Sequence, residues 1–572
     1  MNSAKVAKVE PKKLLPEVYK QLEAIVGQDW ISEDRAIVEG YSRGLMVPTE
    51  ISPKHAKDPT VLPACIILPG TTEEVQAIVR LCNRHEVPIT PYTNGQMFVT
   101  PTTSGTVCIH FSRMDRILEI NEKNLTATLQ PYVSYNVLQA EAMKKGMWNG
   151  GTPLATGICK VASQFAGAGI WQTDLKYGTL SRNIVSVKMV LPDGNILVTG
   201  SAGQPGTENF WEYSPGPDII GLTRSSLGTL GLVTEITVKL HTWVGGSSFP
   251  EDVGHPSINT YYEDVEKKRF DRPPAPERHR IYWLEFPDYD SEIEALYKIA
   301  HSGIGIGLNA TGAYSLYYCS QTTEMTNQRA EEEFFFPWNC YVMLAGISSE
   351  KQLEYEEKVL KQIARETKGK FLSEEYKPEV LDALAPWSQD CIRHVTGMRM
   401  CRGGWSGFVI PIGRISMAKK HSVIWCKALE ELGETHITDR GGCGSTPMIY
   451  VVNRGHFMYS ETDNYPQTHA DPNGLDKVLE YLIYSHTASI KERIAGMGAA
   501  ISAEPFTSFY PEIGPNTNLF LRKVRKAFDP KGIYAPGRRV YTQEEFKKVP
   551  LEVSGLISKH REKFSLPAVK AE

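Results

Sequence analysis

The stretch Asp218-Ile-Ile-Gly-Leu-Thr-Arg-Ser-Ser-Leu-Gly-Thr-Leu-Gly-Leu-Val-Thr-Glu-Ile-Thr-Val-Lys-Leu240 decides the fold. From Leu232 to Leu240 apolar and polar residues alternate, with Val, Ile and Thr prominent, which is the period of a strand with one buried face. Ahead of it, Gly221, Gly228 and Gly231 stand among small hydroxyl side chains. Glycine lets backbone approach a ligand closely, and N–H groups exposed in such a turn suit an anionic group. A single loop of this kind is equally an ordinary tight turn. The weight therefore falls on what accompanies it.

Upstream, further loops of the same type follow in order: Asn94-Gly95, Gly150 to Gly157, Gly167-Ala-Gly169 and Tyr177-Gly178. Each joins a strand, and together with the turn around Gly228 they predict an extended ligand wrapped by main chain. Pro63 to Pro69 reads as a short buried strand. Thr71 and Glu74 form a capping box before a helix that carries Val75, Ile78, Val79 and Cys82 on one face. Strands are expected at Val87 to Pro91, Thr106 to Phe111, Arg116 to Ile120 and Leu125 to Val133, with a helix from Ser134 to Lys145. Ile184 to Leu191 and Asn195 to Thr199 flank Pro192-Asp-Gly194, which is hairpin chemistry.

After Leu240 the character changes. Residues 245–280 are irregular and rich in Pro, Asp and Arg. From 281 to about 500, strands (Ile281 to Phe286, Cys340 to Leu344, Phe408 to Ile412) alternate with helices (Glu292 to His301, Lys351 to Thr367, Ser416 to Leu432), a second α+β layer. A helix from Leu519 to Phe528 then leads into Asp529-Pro-Lys-Gly-Ile-Tyr-Ala-Pro-Gly537.

The chain has 572 residues, with 41% apolar and 22% charged, enough for more than one core. Its net charge of −4 offers no basic face for nucleic acid. No apolar run reaches the roughly 18–20 residues of a membrane crossing, and Met1 to Leu14 lacks the apolar core of a signal peptide. Ten scattered cysteines without a C-x-x-C pair predict reduced thiols in a cytoplasmic protein. On that footing the glycosylation patterns at Asn124-Leu-Thr126 and Asn309-Ala-Thr311 are chance. Gly303-Ile-Gly-Ile-Gly307 lacks a third glycine at dinucleotide spacing and reads as core or turn. His421, His436 and His456 are too far apart to predict a metal site, and P-loop, H-E-x-x-H and G-x-S-x-G motifs are absent from the sequence.

The pieces Ile67-Leu-Pro-Gly-Thr-Thr-Glu-Glu-Val75, Ser112-Arg-Met-Asp-Arg-Ile-Leu-Glu-Ile120, Asn124-Leu-Thr-Ala-Thr-Leu-Gln-Pro131, Leu191-Pro-Asp-Gly194, Gly216-Pro-Asp-Ile-Ile-Gly-Leu222, Ser226-Leu-Gly-Thr-Leu-Gly-Leu-Val-Thr-Glu235 and Phe528 to Gly537 stand in a telling order. In them the chain resembles the flavoprotein family of vanillyl-alcohol oxidase and p-cresol methylhydroxylase, which includes the glycolate and D-lactate dehydrogenase flavoproteins. That resemblance implies an α+β fold, with a two-lobed FAD-binding domain at 1–245 and an α+β cap with an antiparallel sheet at 246–500. It also implies a C-terminal segment at 501–545 returning to the FAD domain, and a tail at 546–572.

The resemblance also implies FAD as cofactor. Thr93, Asn94, Gly95, Gln96, Met97 and Phe98 would lie on the diphosphate, and Thr152, Pro153, Thr156 and Gly157 on the ribityl and phosphate edge. Ser226, Gly228, Thr229, Gly231 and Val233 would line the adenosine side, and Tyr177, Gly178 and Arg538 complete the expected cofactor set. The reaction implied is hydride removal from a small organic substrate, an aromatic or benzylic alcohol or alkylphenol-like compound, with electrons passed to oxygen or a redox protein. The chain departs from both branches at the substrate. Ile501-Ser502 and Gln96-Met-Phe98 stand where the alkylphenol branch has its phenolate anchors. The H-x-G-D-G-N-x-H stretch of the hydroxy-acid branch is absent, and Ala503-Glu-Pro-Phe506 replaces its Gly-Glu-His-Gly turn.

Arg402, Arg399 and His394, beside Arg393, become candidates for binding an anionic substrate oxygen. Tyr450 and Glu504 are further candidates for anchor or base, with His436 and Arg440 behind them, and Trp405, Phe408 and Phe506 for an aromatic wall. A 2-hydroxy-acid dehydrogenase and a non-catalytic flavin-binding subunit are the alternatives. A homo-oligomer is expected.

Overall fold

Short apolar runs separated by an amphipathic helix build the first layer. In the computed structural model, residues 11–42, 61–93, 103–151, 159–166, 169–213, 216–245, 278–312, 337–372, 412–431, 446–461, 474–494, 512, 516–537 and 551–567 are described. Helix α1 (Pro16–Val26), strand β1 (Ile31–Ser32) and helix α2 (Arg35–Gly40) precede β2 (Cys65–Ile67), α3 (Thr72–His85), β3 (Ile89–Tyr92) and β4 (Val107–His110). The sheet order is β1-β2-β4-β3, with β2, β4 and β3 parallel. The Thr71 hydroxyl accepts the Glu74 N–H at 3.1 Å, and the Glu74 carboxylate accepts the Gly70 N–H at 2.7 Å, so the expected capping exchange forms one residue wider than usual.

The second lobe is a five-stranded antiparallel sheet, β5 (Ile117–Asn121), β6 (Thr126–Leu129), β8 (Ile184–Val190), β9 (Ile196–Val198) and β10 (Leu232–Lys239), in the order β5-β6-β10-β8-β9. The opening stretch thus supplies the central strand, with Ile236 facing Leu129 on one side and Val187 on the other. Helices α4 (Tyr135–Met143), α5 (Val161–Ala166), α6 (Asp174–Tyr177) and α7 (Ile219–Thr223) surround it, beside the small pair β7 (Met147–Trp148) and β11 (His241–Thr242).

Downstream, β12 (His279–Glu285), α8 (Tyr289–His301), β13 (Gly307–Ala310), β14 (Asn339–Ala345), α9 (Glu350–Glu366), β15 (Lys370–Phe371), β16 (Ile412–Gly413), α10 (Ala418–Glu431), β17 (Met448–Val452) and β18 (Phe457–Glu461) form a seven-stranded sheet with helices. Its order is β15-β12-β14-β13-β17-β18-β16, antiparallel throughout. Helix α11 (Gly474–Lys491) packs on α10 through Trp425, Tyr481 and Tyr484. Helix α12 (Thr517–Phe528) is followed by Ile533 to Ala535, which lie beside β3: Ile89 N–H donates to Ile533 O at 2.7 Å and Ala535 N–H to Ile89 O at 2.8 Å. The last helix, α13 (Leu551–Lys563), meets α11 and carries Arg561, paired with Glu512 at 2.5 Å.

The sequence reading passes over β13, β17, β18, α11 and α13. Strands β13 and β17 are buried along their whole length, so they carry no apolar–polar alternation to read. Gly303 and Gly305 take φ of +82° and +71° as the turn expected there, and Gly307 opens β13.

Candidate active site

Alternation along its strands gives the seven-stranded sheet two unlike faces. Leu308, Ala310, Cys340, Val342, Ile449, Val451 and Met458 join the apolar core under α8 and α9. On the other face, the register sets Trp283 opposite Tyr341, Tyr341 opposite Asn309, Asn309 opposite Tyr450, and Tyr450 opposite Tyr459. All five are buried. The Trp283 and Tyr341 rings are 4.9 Å apart and those of Tyr450 and Tyr459 are 5.7 Å apart. Tyr459 donates to the Glu461 carboxylate at 2.8 Å, and Tyr450 to the Met448 sulfur at 3.3 Å.

Against this row lies Trp171 to Gly178, the segment containing α6. Gln172 O accepts from Asn309 Nδ2 at 2.9 Å, and Lys176 N–H donates to Ile306 O at 3.2 Å. A Cβ at Gly307 would stand 2.3 Å from Gln172 O, so only glycine lets β13 lie this close. At the other end of the segment, Asn453 in the β17–β18 turn covers Gly178. The Thr173 hydroxyl donates to Gly150 O, and the Trp171 indole to Gly178 O, both at 2.5 Å. Gly150, at φ +89°, is hemmed by His241, Trp171 and Tyr177. The seam between lobe and sheet is therefore built from α6, the end of the β7 strand, and the middle of the sheet.

Its electrostatics are those of a dry site. Burial pushes the Asp174 carboxyl well above its ordinary value, against the opposing pull of the Trp171 N–H, and so favours its protonated form. Burial also raises the Tyr177 phenol. The amide nitrogen of Asn183 donates to Tyr177 O and Thr179 O, which turns its Oδ1 toward His241 Nε2, 3.0 Å away. His241 must then carry its proton on Nε2. Burial, followed by the charges of Lys239 and Lys176, lowers its pKa to about 4, so it is neutral. Both amide atoms of Asn149, Gln172 Nε2, Asp174 Oδ2 and Asn309 Oδ1 are buried without a hydrogen-bond partner among the described residues. Each such group costs about 1–3 kcal/mol until something satisfies it.

A second concentration of expected residues lies where the two lobes meet. Thr93 leaves the carboxyl end of β3, where ligands of parallel sheets bind. Its carbonyl is 2.9 Å from His110 Nε2, and His110 Nδ1 is 2.7 Å from the Tyr41 hydroxyl. In the turn before β10, Ser226 O accepts the Thr229 N–H at 3.0 Å and its hydroxyl at 2.7 Å. Ser225, Leu227 and Gly228 have φ of 60°, 53° and 79°. The two non-glycine residues hold a left-handed conformation that costs roughly 1–2 kcal/mol each, a strain that marks functional turns. A Cβ on Gly228 would reach 2.6 Å from Pro91, and one on Gly231 would reach 2.8 Å from Met189. Val233 follows in β10.

The structure thus brings β3, which ends just before Thr93, through Pro91 to Gly228 in the turn of Ser226, Gly228, Thr229 and Gly231, and brings Tyr177 and Gly178 to the sheet that holds Tyr450. Asn94, Gly95, Gln96, Met97, Phe98, Thr152, Pro153, Thr156, Gly157 and Arg538 lie outside the described residues, as do Arg402, Arg399, His394 and Glu504. The lesser candidates Arg393, Trp405, Phe408, His436, Arg440 and Phe506 lie outside them too. Sequence reasoning missed Asn149, Gln172, Asp174, His241, Asn309 and the aromatic row. None belongs to a local motif except Asn149, which directly precedes Gly150-Gly151.

Comparison with known proteins places the fold. A family model described as an FAD binding domain matches residues 63–200. The chain is 21% identical over 547 residues to a probable mitochondrial D-lactate dehydrogenase of Danio rerio, covering 94% of this chain and 93% of that protein. It is 33% identical over 181 residues to the glycolate oxidase subunit GlcD of Bacillus subtilis, covering 31% of this chain and 37% of that one. Among solved structures, p-cresol methylhydroxylase with substrate bound superposes with a TM-score of 0.68 at 16% identity, over 93% of this chain and 98% of the other. Two lobes facing an antiparallel sheet define the flavoprotein fold of p-cresol methylhydroxylase type. The chain has that fold, carries an FAD-binding domain at residues 63–200 and is an FAD-dependent oxidoreductase.

The residues present fit FAD. Its adenosine side needs backbone at close approach, which the small residues Gly228 and Gly231 permit in the turn after Ser226. The flavin edge alternates acceptors and a donor, which unsatisfied amides such as those of Asn149 and Gln172 would answer. Bound there, FAD supplies a hydride acceptor.

Proposed function

We propose that the chain oxidises a small aromatic or benzylic alcohol, or an alkylphenol-like compound, by removal of a hydride. The observation that carries this reading is the buried row Trp283, Tyr341, Tyr450 and Tyr459 around Asn309, a wall suited to a flat ring. The residues' work is to fix the reacting carbon and keep water out, since position and dryness carry much of such a barrier. Tyr450 contributes a phenol at the middle of the wall. Arg402, Arg399 and His394 supply an anchor for an anionic oxygen, Glu504 supplies a base, and Asn94 to Phe98, Thr152 to Gly157 and Arg538 join the turn at Gly228 in holding FAD.

A second reading, oxidation of a 2-hydroxy acid, is favoured by the names of the D-lactate and glycolate relatives. The electron acceptor is oxygen or a redox protein. No helix among the described residues is long and apolar enough to cross a membrane. The free thiols of Cys65, Cys82, Cys108, Cys159 and Cys340, all buried, support a reducing compartment such as the cytoplasm.

Anaerobic addition of substrates to the FAD-loaded protein tests these readings. Bleaching of the flavin by a benzylic alcohol or alkylphenol, and not by D-lactate or glycolate, is expected. Bleaching by the hydroxy acids alone selects the second reading, and bleaching by neither class rejects both.

A further inference from the structure

We propose that Asn309 selects the substrate by accepting a hydrogen bond from a neutral hydroxyl, the carbinol O–H of the compound to be oxidised. This deepens the reading above and rests on it. Chemistry fixes the orientation of the amide. A main-chain carbonyl only accepts, so the Asn309 atom 2.9 Å from Gln172 O is Nδ2, and Oδ1 is turned away from that carbonyl. Oδ1 is buried without a partner among the described residues. Leu308 and Ala310 belong to the helix-side core, so Asn309 stands on the opposite face, flanked in register by Tyr341 and Tyr450. Its glycosylation pattern is that of a surface residue, whereas the side chain is buried within the seam at 1% exposure.

A buried oxygen that can only accept demands a donor and repels a phenolate or carboxylate oxygen. A carbinol hydroxyl answers that demand. Oxidation would turn C–O–H into C=O, the carbon-bound hydrogen passing as hydride to the oxidised FAD that the chain would hold and the hydroxyl proton being released to bulk solvent, so two electrons and one proton are accounted for. Asn309 Oδ1 then faces a carbonyl oxygen, acceptor against acceptor, and the product is held less tightly than the substrate. An amide takes up no proton at neutral pH, so Asn309 is a positioning and specificity residue, not the base.

The test compares FAD-loaded wild type with Asn309→Leu and, as the smaller change, Asn309→Ala. Two probe pairs are used, 4-methoxybenzyl alcohol with 4-methoxybenzaldehyde and D-lactate with pyruvate. Alcohol affinity is read from the concentration dependence of anaerobic flavin reduction, and carbonyl affinity from the shift of the flavin spectrum. In wild type the reducing alcohol should bind roughly tenfold more tightly than its carbonyl product, the size of one hydrogen bond. Both variants should lose that preference while keeping FAD content, with a lower melting temperature from the lost bond to Gln172 O; a merely structural role would lower stability and leave the preference in place. An unchanged preference in a variant that retains FAD overturns the role of Asn309 and leaves the reaction standing. Absence of reduction by every alcohol and hydroxy acid in wild type overturns the reaction, and the role with it.

Discussion

The two faces of the seven-stranded sheet share their strands and differ in almost everything else. Toward the helices, Leu284, Leu308, Val342, Leu344, Ile449 and Val451 pack with α8 and α9, a surface whose chemistry is volume and area. Toward the lobe, residues one step along the same strands form a row of rings around an amide, against a segment with unsatisfied polar atoms. A stable fold asks for the first face only. The second carries polar groups that lower stability until a ligand meets them, which is the mark of a site. Alternation in a strand lets one chain do both, because each residue moved by one position changes faces.

Substitutions on each face should break that symmetry in opposite ways. Leu308→Ala opens a void in a fully buried core and should lower stability by about 3 kcal/mol, read by denaturant unfolding, with flavin reduction unchanged in the folded fraction. Glu292, on α8, is a buried polar group on the helix face. Burial raises its pKa to about 8, against hydrogen bonds from Thr446 and the Asn339 backbone. Its folded-state value lies above the unfolded one, near 4.5, so the folded protein keeps a proton that the unfolded chain releases. Stability should fall as pH rises from about 4.5 to 8, by up to roughly 1.4 kcal/mol per pH unit. Glu292→Gln should flatten that dependence, and an equal slope in the variant would assign it to another group.

Smaller stability effects are expected where the ligand is held. Gly228→Ala places a Cβ at a φ of +79° and against Pro91, and should cost about 1–2 kcal/mol. Its larger signature is weaker uptake of FAD by the stripped protein, measured by quenching of flavin fluorescence. Tyr450→Phe should change stability by less than about 1 kcal/mol, yet slow substrate reduction of the flavin by about tenfold or more. A variant that reduces at the wild-type rate would remove the Tyr450 hydroxyl from the site.

The two regions also differ in how far they can be read from sequence. The lobes announce themselves through local chemistry: Thr71 and Glu74 at a helix start, Pro192-Asp-Gly194 between two strands, and glycines where backbone must turn left-handed or pass close. Such signals need only neighbours in the chain. The sheet facing the lobes gives little notice. Met448 to Val452 is apolar at every position, so its two faces are indistinguishable until the strands pair. Asn309 carries a sequence pattern that belongs to the surface, and its place beside Tyr341 and Tyr450 exists only in the register. Tyr450 alone of that row was legible as a candidate, and only as a tyrosine with an anchor's chemistry. Asp174 and Gln172 gave no signal, because burial without a partner is a tertiary property.

The account stands on the seam between the α6 segment and the aromatic face being the place where flavin and substrate meet. Amide-hydrogen exchange on FAD-stripped, FAD-loaded and substrate-analogue-bound protein reads that seam directly. The prediction is slowed exchange on FAD binding at 148–151, 171–178 and 226–231, followed on analogue binding by slowing at 307–310 and 448–452. Protection that leaves all of these unchanged and appears elsewhere would contradict it.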